Sequence, residues 1–518
     1  MTTACLLGAV LLLLIASALA AALRSRARPR KAKPVPAESA GKALIGAPGP
    51  RPWPLLGSLH LLGSHGTPFE AFTALSKAYG EVYAIRLGAV PCLVVNSFRL
   101  IKEVLITKGA HFGGRPDFIR FHKLFGGDRD NSLALCDWSE LQRTRRRIAR
   151  VYCSPRLASA HYGRLDAAGA SEAALLREEV GRRAGPRGRA LDIKPLLLAA
   201  CANMFTRYMC SRRFEYDDPV FTLMVRRFDE IFWDINQGYA VDFLPWLLPL
   251  YRSHMARLSL WAQEIRQFIL RSIIEPHRRA IEEKRRRGPP AEDEGPADFT
   301  EALLLHLESD PDLTWQHVLF ELEDFLGGHS AIGNLLMLSL AAAAENAVVA
   351  DRIRREADAA TGGPLARPLS LADRPAMPYT EATVLETLRK ASSPIVPHVA
   401  TQDTSVDGYA VAKGTVVFLN NYELNRSEDH WEAPSEFRPE RFLSAEGGVV
   451  KPEHFIPFGT GKRTCIGSRL VHAFAFLLLG SLVQQFDIHP APPGVRTVPA
   501  CVALPPDTFP LVFTPRCA

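Results

Sequence analysis

The chain reads FIPFGTGKRTCIG from residue 455 to residue 467, directly before an apolar run from Ser468 to Val483. This run has the length and composition of a buried helix, so Cys465 lies just before a helix N-terminus. There the helix macrodipole and the free backbone N–H groups favour thiolate over thiol. A thiolate is the form in which cysteine binds a haem iron. The stretch therefore predicts that Cys465 is a metal ligand.

Other residues of the stretch suit a flat cofactor. Gly461 and Gly467 allow tight backbone geometry beside a planar group. Phe458 can cover the sulfur side, and Arg463 supplies a guanidinium for a propionate. A buried cysteine before a helix is usually only part of a core, so the prediction depends on the whole set of residues rather than on Cys465 alone.

The stretch matches F-x-x-G-x-R-x-C-x-G, the signature of the cytochrome P450 family, at every fixed position. The chain resembles that family over nearly its whole length. The resemblance implies a mainly α fold with a small β region, haem b (iron protoporphyrin IX) as cofactor and Cys465 as its axial ligand. It also implies a monooxygenase that receives electrons from NADPH through NADPH-cytochrome P450 reductase.

Upstream segments resemble further motifs of the family. Residues 386–389 read E-T-L-R, the family's E-x-x-R, with acid and base on one helical face. Residues 439–442 read P-E-R-F, so the resemblance implies a structural triad of Glu386, Arg389 and Arg441 that supports the haem loop. His398 falls where the family commonly presents a propionate partner. An ordinary hydrogen-bonded loop histidine is the alternative.

Trp138 would open the family's W-x-x-x-R segment, but Gln142 occupies the arginine position. Arg145 lies seven residues after Trp138 and returns to its face of a helix, so we expect it to replace the missing propionate partner. Further arginines form a basic surface that either receives an acidic reductase surface or is a solvated helix face: Arg143, Arg147 and Arg150.

A long helical pattern starts after Thr314, a predicted N-cap, and continues through Leu340. Gly327 and Gly328 interrupt it. Two glycines inside a helix each cost roughly 1 kcal/mol relative to alanine, which indicates that another group approaches the backbone closely there. That group is either the cofactor or a packed helix.

The same helix departs from the family pattern A-G-x-D/E-T, because residues 327–331 read G-G-H-S-A. In the usual pattern the acid and the threonine relay protons to dioxygen, and such delivery needs a positioned donor chain. Here His329, Ser330 and ordered water carry the protons, or the reaction does not need the standard relay. We therefore name His329 and Ser330 as catalytic candidates.

The amino-terminal residues predict a membrane anchor. Ala4 to Leu23 form an apolar stretch of about twenty residues, the length needed to cross a bilayer. Six basic residues follow between Arg24 and Lys33 and favour the cytosol for that end. A cleaved secretory signal is the alternative, but its positive charge would precede the apolar core. We expect a single-pass anchor at residues 1–23 in the endoplasmic reticulum membrane.

After the anchor, residues 24–54 are basic and proline-rich and predict a linker, and residues 55–518 predict a cytosolic catalytic domain. Two β-prone runs, Val82 to Leu87 and Cys92 to Asn96, predict a hairpin. The chain is 47% hydrophobic, which favours a large folded core. Its scattered basic residues and net charge of +7 do not indicate nucleic-acid binding. Nine cysteines without a C-x-x-C pair argue against a zinc site.

Three segments narrow the resemblance to the arthropod Spook/Spookier group of ecdysteroid-forming enzymes: D-W-S at 137–139, N-N-Y-E-L-N at 420–425 and G-G-H-S in the long helix. This resemblance implies a hydrophobic sterol substrate and an early step of moulting-hormone synthesis, after 7-dehydrocholesterol and before the ketodiol. Two alternatives remain. One is a haem-thiolate isomerase or dehydratase, and the other is a non-catalytic haem-binding or sterol-sensing membrane protein.

Overall fold

The computed structural model describes residues 45–287, 295–364, 366–497 and 500–516. The predicted anchor at residues 1–23 lies outside these ranges. The α-helices of the described residues are α1 Leu59–Leu62, α2 Pro68–Tyr79, α3 Phe98–Lys102, α4 Ile119–Leu124, α5 Glu140–Cys153, α6 Ala160–Ala184, α7 Lys194–Cys210, α8 Pro219–Ile235, α9 Arg252–Phe268, α10 Glu275–Arg287, α11 Phe299–Ser309, α12 Trp315–Glu345, α13 Ala347–Thr361, α14 Pro378–Ala391, α15 Asn421–Arg426 and α16 Ser468–Gln485.

The β-strands are short and fewer than the helices in the described ranges, as the predicted fold class requires. They are β1 Ile45–Gly46, β2 Val82–Leu87, β3 Val90–Val95, β4 Arg189–Leu191, β5 His398–Val399, β6 Thr404–Val406, β7 Tyr409–Val411, β8 Val416–Leu419, β9 Phe486–Pro490 and β10 Leu511–Pro515.

The chain forms two compact units, where the sequence predicts one catalytic domain over residues 55–518. The described part of the first unit comprises residues 45–116, 239–249 and 395–423. It contains the sheets β1-β7-β6 and β2-β3-β8-β5. The predicted hairpin is present, because β2 and β3 pair antiparallel. Gly88 turns the chain between them with a φ of 58°, in the left-handed region that favours glycine.

The carboxyl end of the predicted linker belongs to the first unit. β1 pairs in parallel with β7. The backbone N–H of Ala84 donates to the carbonyl of Pro48 over 2.7 Å. A Cβ at Gly49 would lie 1.9 Å from the Ala84 carbonyl oxygen, so only glycine fits there. The carboxyl end of this segment is therefore hydrogen-bonded to the first unit, because proline carbonyls still accept hydrogen bonds, and the role of residues 24–54 as a linker remains a prediction.

The second unit comprises residues 117–238, 250–394 and 424–516 in its described part, and its centre is α12. Thr314 caps this helix as predicted: its Oγ1 accepts from the His317 N–H, and the His317 Nδ1 accepts from the Thr314 N–H. Among the described residues α12 alone has the length and hydropathy to cross a bilayer, but 72% of that stretch is buried in the protein. It is therefore the core helix of this unit, and α7, α8, α14 and α16 pack around it.

Candidate haem site

Residues 455–467, here named the Cys465 loop, precede α16. Backbone hydrogen bonds and turns within this loop hold Cys465 in place. The N–H of Cys465 donates to the carbonyl of Phe458 over 2.9 Å, which closes the loop. Gly461 has a φ of 73° and needs the freedom of glycine. Gly467 has a φ of −82°, so no left-handed geometry requires glycine there. A Cβ at Gly467 would nevertheless meet open space, which leaves room for a planar group beside it.

Opposing effects act on the Cys465 thiol. Burial raises its pKa, while the N–H groups of Gly467 and Ser468 and the charge of Arg146 act to lower it. Cys465 is nevertheless exposed, so a ligand can reach it. A cation bound at this sulfur would displace the thiol proton, because metals bind cysteine as thiolate.

Arg463 lies in this loop, and one of its guanidinium N–H groups has no hydrogen-bond partner in the described structure. Its Nη2 donates to the carbonyls of Ala134 and Cys136, both over 2.9 Å. Its Nη1 is buried and has no hydrogen-bond partner within the described ranges. Burial lowers the pKa of Arg463 to about 10, so the guanidinium remains charged at neutral pH. A buried charged donor without a partner is costly, so this arrangement fits the carboxylate of a haem propionate.

Two aromatic residues border the loop. The Phe458 ring meets the His472 ring edge to face, with centroids 5.4 Å apart. The Lys462 Nζ lies 5.7 Å from the centroid of the Trp138 ring, which places Trp138 beside the loop.

Arg146, which we did not predict, donates from Nη2 to the Thr464 carbonyl over 2.6 Å. Trp138 precedes Glu140, the first residue of α5, so helical spacing from Trp138 gave no signal for Arg146.

Arg145 does not face the predicted partner. It is buried, and its Nε pairs with Oε2 of Glu321 on α12 at 3.0 Å. Its Nη1 and Nη2 donate to the carbonyls of Asp130 and Asn131. The guanidinium is thus engaged inside the protein, and the structure does not support Arg145 as a propionate partner. Gln142 is likewise engaged, because its Nε2 donates to the Leu133 carbonyl over 2.9 Å.

The catalytic candidates on α12, His329 and Ser330, are completely buried, and His329 contacts α8. The Nδ1 of His329 lies 2.6 Å from the Leu326 carbonyl oxygen, and its ring meets Phe228 of α8 edge to face at 5.4 Å. Burial lowers the pKa of His329, which favours the neutral ring. The Ser330 Oγ lies 3.5 Å from the His329 Nε2, at the limit of a hydrogen bond. Their role in proton delivery remains a prediction that this burial disfavours.

The two glycines of α12 accommodate neighbouring helices. A Cβ at Gly327 would lie 3.1 Å from the Phe228 ring, and a Cβ at Gly328 would lie 3.2 Å from the Phe205 ring of α7. The close approach to the backbone thus comes from α7 and α8, which is the helix-packing alternative. Because the neighbours of Gly327 and Gly328 belong to other helices, cofactor binding by these glycines remains a prediction.

Glu386, Arg389 and Arg441 lie together in the second unit. The Nε and Nη2 of Arg389 donate to the two carboxylate oxygens of Glu386 over 2.7 and 2.6 Å, and both side chains are fully buried. The Nε of Arg441 lies 3.5 Å from the Glu386 Oε1. Arg389 also donates to three backbone carbonyls of one later segment: Asn425, Pro434 and Glu436. Support of the haem loop by this triad remains a prediction.

His398 belongs to the first unit and is buried. Its Nδ1 lies 2.7 Å from the Phe112 carbonyl oxygen, which only accepts, so Nδ1 carries a proton. Donation from Nε2 to a propionate as well would require the imidazolium form. The propionate role of His398 remains a prediction with that condition attached.

A protein-family model described as Cytochrome P450 matches residues 47–511. The chain therefore belongs to the cytochrome P450 family, whose members are haem-thiolate monooxygenases.

Curated relatives agree with this assignment. The chain is 48% identical to "Cytochrome P450 307a1" of Drosophila melanogaster over 494 residues, which cover 91% of the chain and 89% of that relative. It is 31% identical to "Cytochrome P450 1A1" of Rattus norvegicus over 470 residues, with 87% and 86% covered. The protein of the same name in Canis lupus familiaris is 30% identical over 475 residues, with 88% and 86% covered. The Drosophila protein is Spook, so the narrower resemblance is confirmed.

Proposed function

We propose that the chain is a monooxygenase that oxidises a sterol in an early step of ecdysteroid synthesis. The observation that carries this proposal is the 48% identity to the Drosophila relative over 91% of the chain, well above the 31% identity to the rat protein. The three segments that resemble the Spook/Spookier group add to it. A hydrophobic sterol such as 7-dehydrocholesterol is the substrate class that follows.

The residues around Cys465 supply the cofactor chemistry in this proposal. Cys465 would bind the haem iron through its sulfur, and Arg463 would hold a propionate with Nη1, which has no hydrogen-bond partner in the described residues. Arg146 fixes the loop through the Thr464 carbonyl and adds positive charge beside the sulfur. Haem bound here supplies oxygen activation, which thiolate donation favours.

Electron supply and location complete the proposal. NADPH-cytochrome P450 reductase provides electrons from NADPH and docks on the basic face of α5, where three arginines are exposed: Arg143, Arg147 and Arg150. Residues 1–23 anchor the chain in the endoplasmic reticulum membrane and leave the remainder in the cytosol. The membrane also concentrates a hydrophobic substrate near the protein.

A second function has one specific observation in its favour. His329 and Ser330 are completely buried. Ser330 and Ala331 occupy the positions of the usual acid and threonine, so both are missing from this turn of α12. A haem-thiolate isomerase or dehydratase needs no such relay. That enzyme would rearrange an already oxidised sterol without consuming NADPH.

The two functions separate in one experiment. The full chain is reconstituted in membranes with reductase, NADPH, isotopically labelled dioxygen and 7-dehydrocholesterol, and products are followed by mass spectrometry. The proposal predicts labelled oxygen in the product, and no product from Cys465→Ala. Haem-loaded protein that neither consumes NADPH nor changes this sterol would contradict monooxygenation of it. Conversion of a later, oxidised intermediate without NADPH would establish the isomerase.

A further inference from the structure

Residues 130–136, here named the tethered segment, precede Trp138 and lie between α12 and the Cys465 loop. Four side chains from outside the segment donate to its carbonyl groups. Arg129 donates to Leu135 over 3.1 Å. Arg463 donates to Ala134 and Cys136, and Gln142 donates to Leu133. Arg145 donates to the first two carbonyls of the segment and is itself held by Glu321 of α12. The segment is therefore fixed from α5, from α12 and from the Cys465 loop.

Asp324 of α12 holds the amide side of the same segment. Its Oδ2 accepts the N–H of Leu133 over 2.6 Å and the N–H of Ala134 over a longer 3.4 Å. The hydroxyl of Ser132 lies 3.1 and 3.0 Å from its two carboxylate oxygens. Burial raises the pKa of Asp324 to about 6, and these donors, with the charge of Arg145, oppose that rise. A buried carboxylate with such donors forms strong, oriented hydrogen bonds.

Ala134 joins the two anchors. Its N–H points to Asp324, and its carbonyl accepts from the Nη2 of Arg463, two residues before Cys465. The free Nη1 of Arg463 is oriented by that contact. Gln142 occupies the family's arginine position and binds the segment, and Arg145 is paired with Glu321. Arg463 therefore supplies, close to Cys465 in the second unit, a buried guanidinium N–H group without a hydrogen-bond partner in the described residues.

We propose that Asp324 is a positioning residue that acts through Ser132, Leu133 and Ala134 to fix the Arg463 guanidinium, and with it the grip of the protein on a haem propionate. The inference depends on haem binding by the family and not on the sterol proposal. In this proposal, hydrogen bonds through the tethered segment link α12 to the Cys465 loop. The connection is carried by an acid one turn before the Gly-Gly-His-Ser segment.

The first test measures how fast the full-length haem-loaded protein releases haem to excess apomyoglobin, with no substrate present. Asp324→Ala is expected to release haem about tenfold faster, because charge-assisted hydrogen bonds to the segment are lost. Asp324→Asn is expected to release haem at a rate between those of the parent and Asp324→Ala, because it keeps the acceptor and loses the charge. Its carboxamide oxygen still accepts from Leu133, and its amide nitrogen can donate to the Ser132 hydroxyl.

The matched control is Glu323→Gln, the neighbouring buried acid on α12. Glu323 pairs with Arg266 at 3.2 Å and has no contact with the tethered segment among its hydrogen bonds in the described structure. Burial raises the pKa of Glu323 to about 8, so glutamine mimics its neutral form. This variant is expected to release haem at the parent rate.

A double-mutant cycle tests whether Asp324 acts through Arg463. In an Arg463→Ala background, Asp324→Ala should accelerate haem release less than about twofold, because the group that it positions is gone. Equal acceleration in both backgrounds would overturn the proposal, as would an unchanged rate for Asp324→Ala alone. If Asp324→Ala does not fold, Ser132→Ala replaces it in the same cycle, since it removes one hydrogen bond and no charge.

Discussion

The Cys465 loop and the middle of α12 show how differently two parts of one site depend on sequence. In the loop, the backbone itself presents the sulfur: Gly461 adopts a positive φ and the Cys465 N–H binds the Phe458 carbonyl. In α12, every residue has the same backbone geometry, and neighbouring helices decide what each side chain faces. His329 meets α8, whereas Asp324 meets the tethered segment. A motif therefore predicts the role of a residue that local backbone geometry positions, such as Cys465. It does not predict the role of a residue whose contacts depend on helix packing, such as Asp324.

The largest expected effect comes from a substitution in the Cys465 loop. Cys465→Ala should abolish sterol turnover, because it removes the only ligand that the loop presents. The fold should persist, since the backbone bond from residue 465 to the Phe458 carbonyl does not use the side chain. Turnover and thermal unfolding of the haem-free protein measure the two effects. Retained turnover, or a collapse of stability, would contradict a role confined to ligation.

The next effect separates a buried motif from an exposed pair of the same spacing. Glu386→Gln leaves the charge of fully buried Arg389 without its partner and should lower the free energy of unfolding by about 3–5 kcal/mol. Glu140→Gln breaks the exposed pair with Arg143 and should cost at most about 1 kcal/mol. Urea denaturation measures both. Similar losses for the two variants would show that burial of the Glu386 pair has no structural consequence.

A smaller effect sharpens the assignment of the α12 glycines to packing. Gly328→Ala should cost about 1–3 kcal/mol through contact with Phe205, offset by a gain of about 1 kcal/mol in helix propensity. Haem content should not change. Combining it with Phe205→Leu should restore stability, which thermal unfolding would detect. Loss of haem at unchanged stability would instead establish a cofactor contact at Gly328.

The smallest effect concerns pH. Burial raises the pKa of Glu323 from 4.5 to about 8. Between these values the folded protein holds a proton that the unfolded chain has released, so Glu323 makes the free energy of unfolding fall as pH rises. Glu323→Gln should flatten that dependence between about pH 5 and pH 8. Unfolding at several pH values measures the slope, and identical slopes for both proteins would refute the shift.

Much of the fold and part of the site follow from sequence for definite reasons. Periodicity and the Thr314 cap predict α12, and two neighbouring β-prone runs predict the β2-β3 hairpin. The loop residues are predictable because their spacing encodes backbone geometry. The pairing of Arg145 with Glu321 was not predictable, because spacing gives the helix face of Arg145 but not the buried acid on α12 that lies opposite it. Asp324 was missed because its partners, two backbone N–H groups and the Ser132 hydroxyl, lie almost two hundred residues away in the sequence.

The most direct test of the account is iron-edge X-ray absorption on the haem-loaded protein and on Cys465→Ala. We expect one sulfur ligand to iron in the parent protein and none in the variant, since Cys465 is the sulfur that the loop presents. A nitrogen or oxygen ligand in place of sulfur in the parent, or an unchanged sulfur signal in Cys465→Ala, would contradict the assignment of Cys465 as the axial ligand.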